Sequence, residues 1–128
     1  MKKIILLLVI SYFNTFSQIS FEHIINSDGL SNNVVRTIYQ DSQGFLWIGT
    51  EDGLNKFDGY KFTVYRNDRH KENSLSDNFV YSIYEDSKGV LWVGTNSGGL
   101  NKFDPHSGSF KAYKNIPGDN SSISSNRI

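Results

Sequence analysis

The sequence has no cysteine, only two prolines and no net charge, and its longest apolar run stops after seven residues. Each shortage removes a class of protein. Without cysteine there is no disulfide framework and no thiolate zinc site, although an oxidising compartment stays open. Without an excess of basic residues there is no reason to expect nucleic acid, whose phosphates demand a positive face. Without an apolar stretch of about 20 residues, no segment reads as a membrane-crossing helix. With so little proline, the turns must be built on the eleven glycines and on Asn, Asp and Ser. Aromatic residues, in contrast, are plentiful: seven Tyr, nine Phe and two Trp, a load that suits the pleated surface of β-strands.

The first residues read as a targeting signal. Lys2 and Lys3 give a positive start, residues 4–10 are apolar without a break, and Thr15-Phe16-Ser17 places small residues at both cleavage-determining positions before Gln18. A signal peptide is therefore expected over residues 1–17, and with it export from the cytoplasm. Its removal takes away two lysines and no acids, so the mature chain carries a slight acidic excess.

Beyond the signal, the chain repeats itself. From Leu30 to Asp52 against Leu75 to Ser97, 13 of 23 positions are identical. After one inserted glycine, Gly98, the run Gly53-Leu54-Asn55-Lys56-Phe57-Asp58 recurs as Gly99-Leu100-Asn101-Lys102-Phe103-Asp104. A third copy opens at Ile123-Ser124-Ser125-Asn126. Within a copy, residues 34–40 alternate in character, which suits a strand packed on both sides. Residues 45–50 are nearly all apolar, as in a strand buried on both faces. Residues 54–57 and 60–66 supply a third and a fourth strand, with residues 110–114 as the fourth strand of the second copy. Asp41-Ser42-Gln43-Gly44, Glu51-Asp52-Gly53 and Asp58-Gly59 are hairpin turns. Four antiparallel strands in about 45 residues is the size of one β-propeller blade. The expected fold is all-β, with two four-stranded blades over residues 30–74 and 75–122. The beginning of a further blade is expected over residues 123–128. Phe21-Glu22-His23-Ile24 stands before the first copy as Phe62-Thr63-Val64-Tyr65 stands before the second. Residues 18–29 are therefore expected to hold a closing strand and a linker. Propellers have four to eight blades, each covered by its neighbours. Two blades alone expose two apolar faces, so an incomplete propeller of this kind is expected to be weakly stable and prone to stick.

The repeat Leu-Ser-x-Asn, then Ile-Tyr-x-Asp-Ser-x-Gly-x-Leu-Trp-[Ile/Val]-Gly-Thr, then Gly-Leu-Asn-Lys-Phe-Asp, resembles the two-component regulator propeller repeat along its whole length. The start after the signal, Ile-Ser-Phe-x-x-Ile followed by Gly-Leu-Ser, is similar to the beginning of the sensor region of hybrid two-component systems. The resemblance implies a periplasmic sensor region with tandem propellers, followed in the whole receptor by a membrane helix and a histidine kinase. It also implies an oligosaccharide ligand, contact with the remaining blades and dimerisation of the receptor.

The repeat residues Asp41, Gly44, Trp47 and Gly49, with Asp86, Gly89, Trp92 and Gly94, read as structural. Both tryptophans sit mid-strand among apolar neighbours at one repeat position, which points to packing between blades rather than to sugar stacking. The Asp turns carry one carboxylate each, too few for a calcium loop. His23, His70 and His106 have no partner at metal-ligand spacing. No catalytic constellation, cofactor motif or metal site can be assembled from these residues. Ligand specificity is expected where the copies differ at loops, namely at Arg36 and Tyr81, Glu51 and Asp52, and Asn96 and Ser97. The competing reading is a secreted propeller enzyme or lectin, of lyase, glycosidase or quinoprotein type, with its active site on other blades.

Overall fold

A computed structural model describes residues 19–128; the expected signal peptide lies outside the described residues. The repeat folds twice into the same meander. Strands β1 (Val35–Gln40), β2 (Leu46–Thr50), β3 (Gly53–Phe57) and β4 (Phe62–Tyr65) form one antiparallel sheet in sequence order. Strands β5 (Val80–Glu85), β6 (Leu91–Thr95), β7 (Leu100–Asp104) and β8 (Ser109–Tyr113) form the other. The registers coincide copy for copy: Ile38 lies opposite Ile48 and Tyr39 opposite Trp47, as Ile83 lies opposite Val93 and Tyr84 opposite Trp92. Even the irregularity at the start of the first strand recurs, between Val35 and Thr37 and between Val80 and Ser82. Among the described residues no helix is long and apolar enough to cross a membrane.

The Asp-Ser-x-Gly turn explains its own sequence. Asp41 Oδ1 accepts the backbone N–H of Gln43 at 3.0 Å and of Phe45 at 2.9 Å, while Oδ2 accepts the indole N–H of Trp47 at 2.7 Å. Asp86 repeats this with Lys88, Val90 and Trp92 at 2.9, 3.0 and 3.0 Å. One carboxylate thus closes the hairpin and fixes the tryptophan six residues on. Gly44 and Gly89 complete the turn at φ 88° and 74°, in a region that side chains disfavour. The indole N–H of Trp92, and after it the Val90 N–H, hold the Asp86 carboxyl below its ordinary value of 3.8. The sign of the linkage follows. A carboxylate with a lowered folded pKa contributes stability that is fully present above the unfolded value. That stability is lost as pH falls through the folded value. Acid unfolding followed by tryptophan fluorescence should therefore steepen below about pH 4, and Asp86→Asn should flatten that limb; an unchanged acid limb in the variant overturns the assignment.

The two sheets stack face to face. The forward face of the first, with Tyr39, Trp47, Leu54 and Tyr65, lies against the rear face of the second, with Ile83, Leu91, Val93, Phe103 and Phe110. Trp47 is only 2% exposed. Its ring centroid lies 5.1 Å from Phe103 in an edge-on contact and 6.0 Å from Tyr65 in a stacked one. Tyr65 in turn meets Phe103 and Phe110 at 5.3 and 5.5 Å, and burial pushes its phenol above the ordinary range. Gly49 is needed for this approach: a Cβ there would stand 2.6 Å from a Val80 methyl and 2.6 Å from a Thr37 methyl. Glu85 completes the joint by accepting the backbone N–H and the hydroxyl of Ser42, each at 2.7 Å.

Among the described residues each sheet meets another sheet on one side alone, although the Leu30-Ser31 segment covers Ile48 and Asn55 on the rear face of the first. Ile38, on the rear face of the first sheet, is 63% exposed, while its counterpart Ile83 is 8% exposed against the preceding sheet. On the forward face of the second sheet, Tyr84 is 62% exposed and Trp92 is half-buried beside Tyr113, 5.9 Å away. Among the described residues, strand β1 meets another sheet on its forward side alone.

In the expected closing segment residues 19–25 form no strand, Asn26–Asp28 form a single 3-10 turn, and Phe21 is 86% exposed. The segment nevertheless arrives in the same register as the outer strands do. Asn26 donates its backbone N–H to Asn33 Oδ1 at 3.0 Å, as Asn67 does to Asn78 and Asn115 to Asn126, both at 2.7 Å.

Candidate functional site

The meander sends its connections to opposite ends of the sheets. The β1–β2 and β3–β4 turns, with their counterparts in the second sheet, lie on a lower rim. The β2–β3 and β6–β7 turns and the long connection between sheets lie on an upper rim. All six residues expected to carry specificity are on the upper rim.

Their contacts lie partly within each copy and partly across the joint. Arg36, on β1, is ion-paired with Glu51 in the β2–β3 turn. The Arg36 guanidinium also lies over the Phe79 ring, 5.3 Å from its centroid. Phe79 packs on Tyr81 at 4.7 Å. The Tyr81 ring then carries the Arg127 guanidinium at 5.1 Å, and Arg127 Nη2 donates to the Tyr81 hydroxyl at 3.0 Å. Asp52 is ion-paired with Arg66 at 3.1 Å and accepts from the Asn78 amide at 3.3 Å. Ser97 donates both its N–H and its hydroxyl to Asp77 Oδ2 at 2.8 Å. Asn96 donates its backbone N–H to the Phe79 carbonyl at 2.9 Å, and its side chain makes no hydrogen bond among the described residues.

Arg36, Glu51 and Tyr81 thus belong to one chain of contacts, whereas Asp52 and Ser97 are tied into separate local pairs. Phe79, Arg66, Asp77 and Arg127 are upper-rim residues beyond those singled out in the sequence. A signal for two of them was present. In the repeated Leu-Ser-x-Asn-x, the last position reads Val34, Phe79 and Arg127 in the three copies, the widest chemical spread of the motif.

The lower rim has a cleft of about 1020 Å3 between the sheets, walled by Phe45, Trp47, Phe103 and Phe110. Lys56 seats its ammonium 3.7 Å from the Phe45 ring centroid there. Lys56 recurs as Lys102, but Val90 takes the place of Phe45 in the second copy, so this contact is particular to the first sheet. Among the described residues no three of His, Asp and Glu converge on a metal position.

Comparison with known proteins follows this geometry. Residues 29–52 and 74–97 match the profile of the family described as two component regulator propeller. Each matched stretch comprises the end of a connection, the first strand, the Asp turn and the second strand. Over 58 residues the chain is 48% identical to histidine kinase P4 of Formosa agariphila, a stretch that is 45% of this chain and 4% of that protein. A solved structure described as the extracellular domain of the hybrid two component system BT3049 from B. thetaiotaomicron is 38% identical, with a TM-score of 0.75. That match takes in 83% of this chain and 15% of the other. A second, described as the extracellular domain of the one component system BT4673 from the same organism, is 28% identical with a TM-score of 0.63. It takes in 76% of this chain and 14% of the other. The chain therefore spans a small part of each relative.

Proposed function

Because the chain is built of two-component regulator propeller repeats and forms part of the propeller domain of a two-component sensor system, we propose that it is a piece of a periplasmic ligand sensor whose upper rim receives an oligosaccharide. In this reading residues 1–17 direct export and residues 30–74 and 75–122 are successive blades. Residues 18–29 close a blade that lies elsewhere in the receptor, and residues 123–128 open the next one. The chain itself performs no catalysis. Binding on the rim biases the ring's position against the membrane-proximal parts of a dimeric receptor, and a downstream histidine kinase reads that rigid-body change.

The observation that carries the reading is the upper rim itself. There the copies differ at Arg36 and Tyr81, at Val34 and Phe79 and in the second turn, which gains Gly98, while the first two strands of each sheet keep the same register. Planar aromatic faces and guanidinium groups are held in fixed stacks at that place, which suits recognition of hydroxyl-rich rings with little ordering cost. Calorimetric titration of a complete sensor domain with a panel of neutral and acidic oligosaccharides tests it. At least one sugar should bind, and Tyr81→Ala should weaken that binding by about tenfold. Absence of heat across the whole panel rejects oligosaccharide sensing.

A further inference from the structure

We propose that the lower-rim cleft between the two sheets is a binding site for a small aryl carboxylate, and that Lys56 receives the carboxylate. The inference is independent of the saccharide reading, which concerns the opposite rim. Both walls of the cleft belong to complete four-stranded copies of the repeat. The registers fix what faces it. Lys56 lies opposite Trp47 in the β2–β3 pairing, so the two share the forward face of the first sheet. Phe103 and Phe110 lie opposite one another on the rear face of the second sheet and line the other wall. The space between, about 1020 Å3, is that of a small-molecule site. Its aromatic walls suit a flat apolar body, which gains by stacking or by edge-on contact.

The charge of the ligand follows from what each ionised group in the cleft already holds. The Lys56 ammonium rests 3.7 Å from the Phe45 ring centroid and 5.4 Å from that of Trp47. Lys56 is half-buried, and among the described residues it has no carboxylate within ion-pair distance, whereas Arg36 and Arg66 each have one. The acids that line the cleft are engaged elsewhere. Asp41 accepts two backbone N–H groups and the Trp47 indole. Glu85 accepts both donors of Ser42. Asp104 accepts the His106 N–H at 3.0 Å and the Ser107 hydroxyl at 2.6 Å. Glu72, exposed in the connection between the sheets, is the one lining acid without such a bond among the described residues. The seat of the ammonium is not a demand of the repeat, because Val90 stands in the second copy where Phe45 stands in the first. A ring holds an ammonium by its charge and leaves N–H donors for an anion. A carboxylate there meets an opposite charge that is partly shielded from water, while its ring lies against Trp47, Phe103 and Phe110.

Equilibrium dialysis of the whole chain against 2-naphthoate and its neutral counterpart 2-naphthalenemethanol tests the site. The acid should bind at least about tenfold more tightly than the alcohol, and the preference should shrink as salt rises. Lys56→Met should abolish the preference and Lys56→Arg should keep it, which separates loss of charge from loss of fold. Lys61→Met, in the adjoining β3–β4 turn, should leave the preference unchanged. Glu72→Gln removes the unengaged acid and should tighten binding of the naphthoate or leave it as it is. Absence of binding by both compounds, equal binding of the two, or a preference that survives Lys56→Met overturns the proposal. Tighter binding of 2-naphthylmethylamine than of the acid also overturns it and marks the cleft as a cation site instead. None of these results bears on the upper rim, which is tested with sugars. As a second readout on unaltered protein, naphthoate should protect Lys56 from acetic anhydride and leave Lys61 reactive; equal protection of both, or of neither, rejects the site.

Discussion

Trp47→Ala is expected to lower the stability of the two-sheet unit by about 3–5 kcal/mol, the range for removing a large buried aromatic side chain. Trp92→Ala, at the same repeat position, is expected to lower it by roughly 1 kcal/mol, the scale of a partly exposed contact. The difference comes from what stands in front of each ring. Trp47 is enclosed by Tyr65, Phe103 and the rear face of the second sheet, so its loss leaves a cavity that rigid strands close poorly. Trp92 makes the same bond to its turn aspartate and has the same tyrosine beside it, but no sheet covers it and water fills the space that it vacates. Urea unfolding of the two variants followed by circular dichroism measures the gap. Equal losses would show that the contribution of the tryptophan lies in the turn and not in the joint.

The second large effect is expected at Asn55. The asparagine is fully buried, yet both ends of its amide are satisfied. Oδ1 accepts the Ser31 N–H at 2.8 Å, and Nδ2 donates to the Ser31 hydroxyl at 2.8 Å and to the Ile48 carbonyl at 3.0 Å. Asn101 repeats the arrangement with Ser76 and Val93. The amide ties the Leu-Ser segment that leads into a sheet to the second and third strands of that sheet. Asn55→Ala leaves buried polar groups without partners, at about 1–3 kcal/mol each, so a total of roughly 2–4 kcal/mol is expected. Asn55→Asp keeps the volume and should cost at least as much. A buried carboxylate would face the Ile48 carbonyl with no proton to give. If the aspartate variant is as stable as the parent, the site is held by shape and not by hydrogen bonding.

These two residues also show how far the sequence could be read. Strand order, turn positions and the likeness of the copies were legible because hairpins are local and the repeat displays each twice. Trp47 was readable as packing because an indole repeated among apolar neighbours has few other uses. Its bond to Asp41 went unread, because a hydrogen bond from side chain to side chain leaves no periodicity. Asn55 belongs to a repeated run, but nothing in a polar residue between Leu54 and Lys56 says that it is buried. On the rim, departures between copies led to Arg36 and Tyr81. Phe79 and Arg127 required knowledge of which side chain of one blade reaches the next, and that is set by stacking between sheets and not by spacing along the chain.

The asparagine clasps carry a consequence for how the molecule assembles. Asn67, just past the last strand of one sheet, grips Asn78, just ahead of the first strand of the next, and Gly53 donates its N–H to the Asn78 carbonyl at 2.7 Å. The same two bonds hold Asn126, from Asn115 and Gly99. A finished sheet is therefore bonded to the segment that leads into its successor. Each unit can thus serve as the template for the next, and construction can advance in one direction through short-range encounters that close quickly.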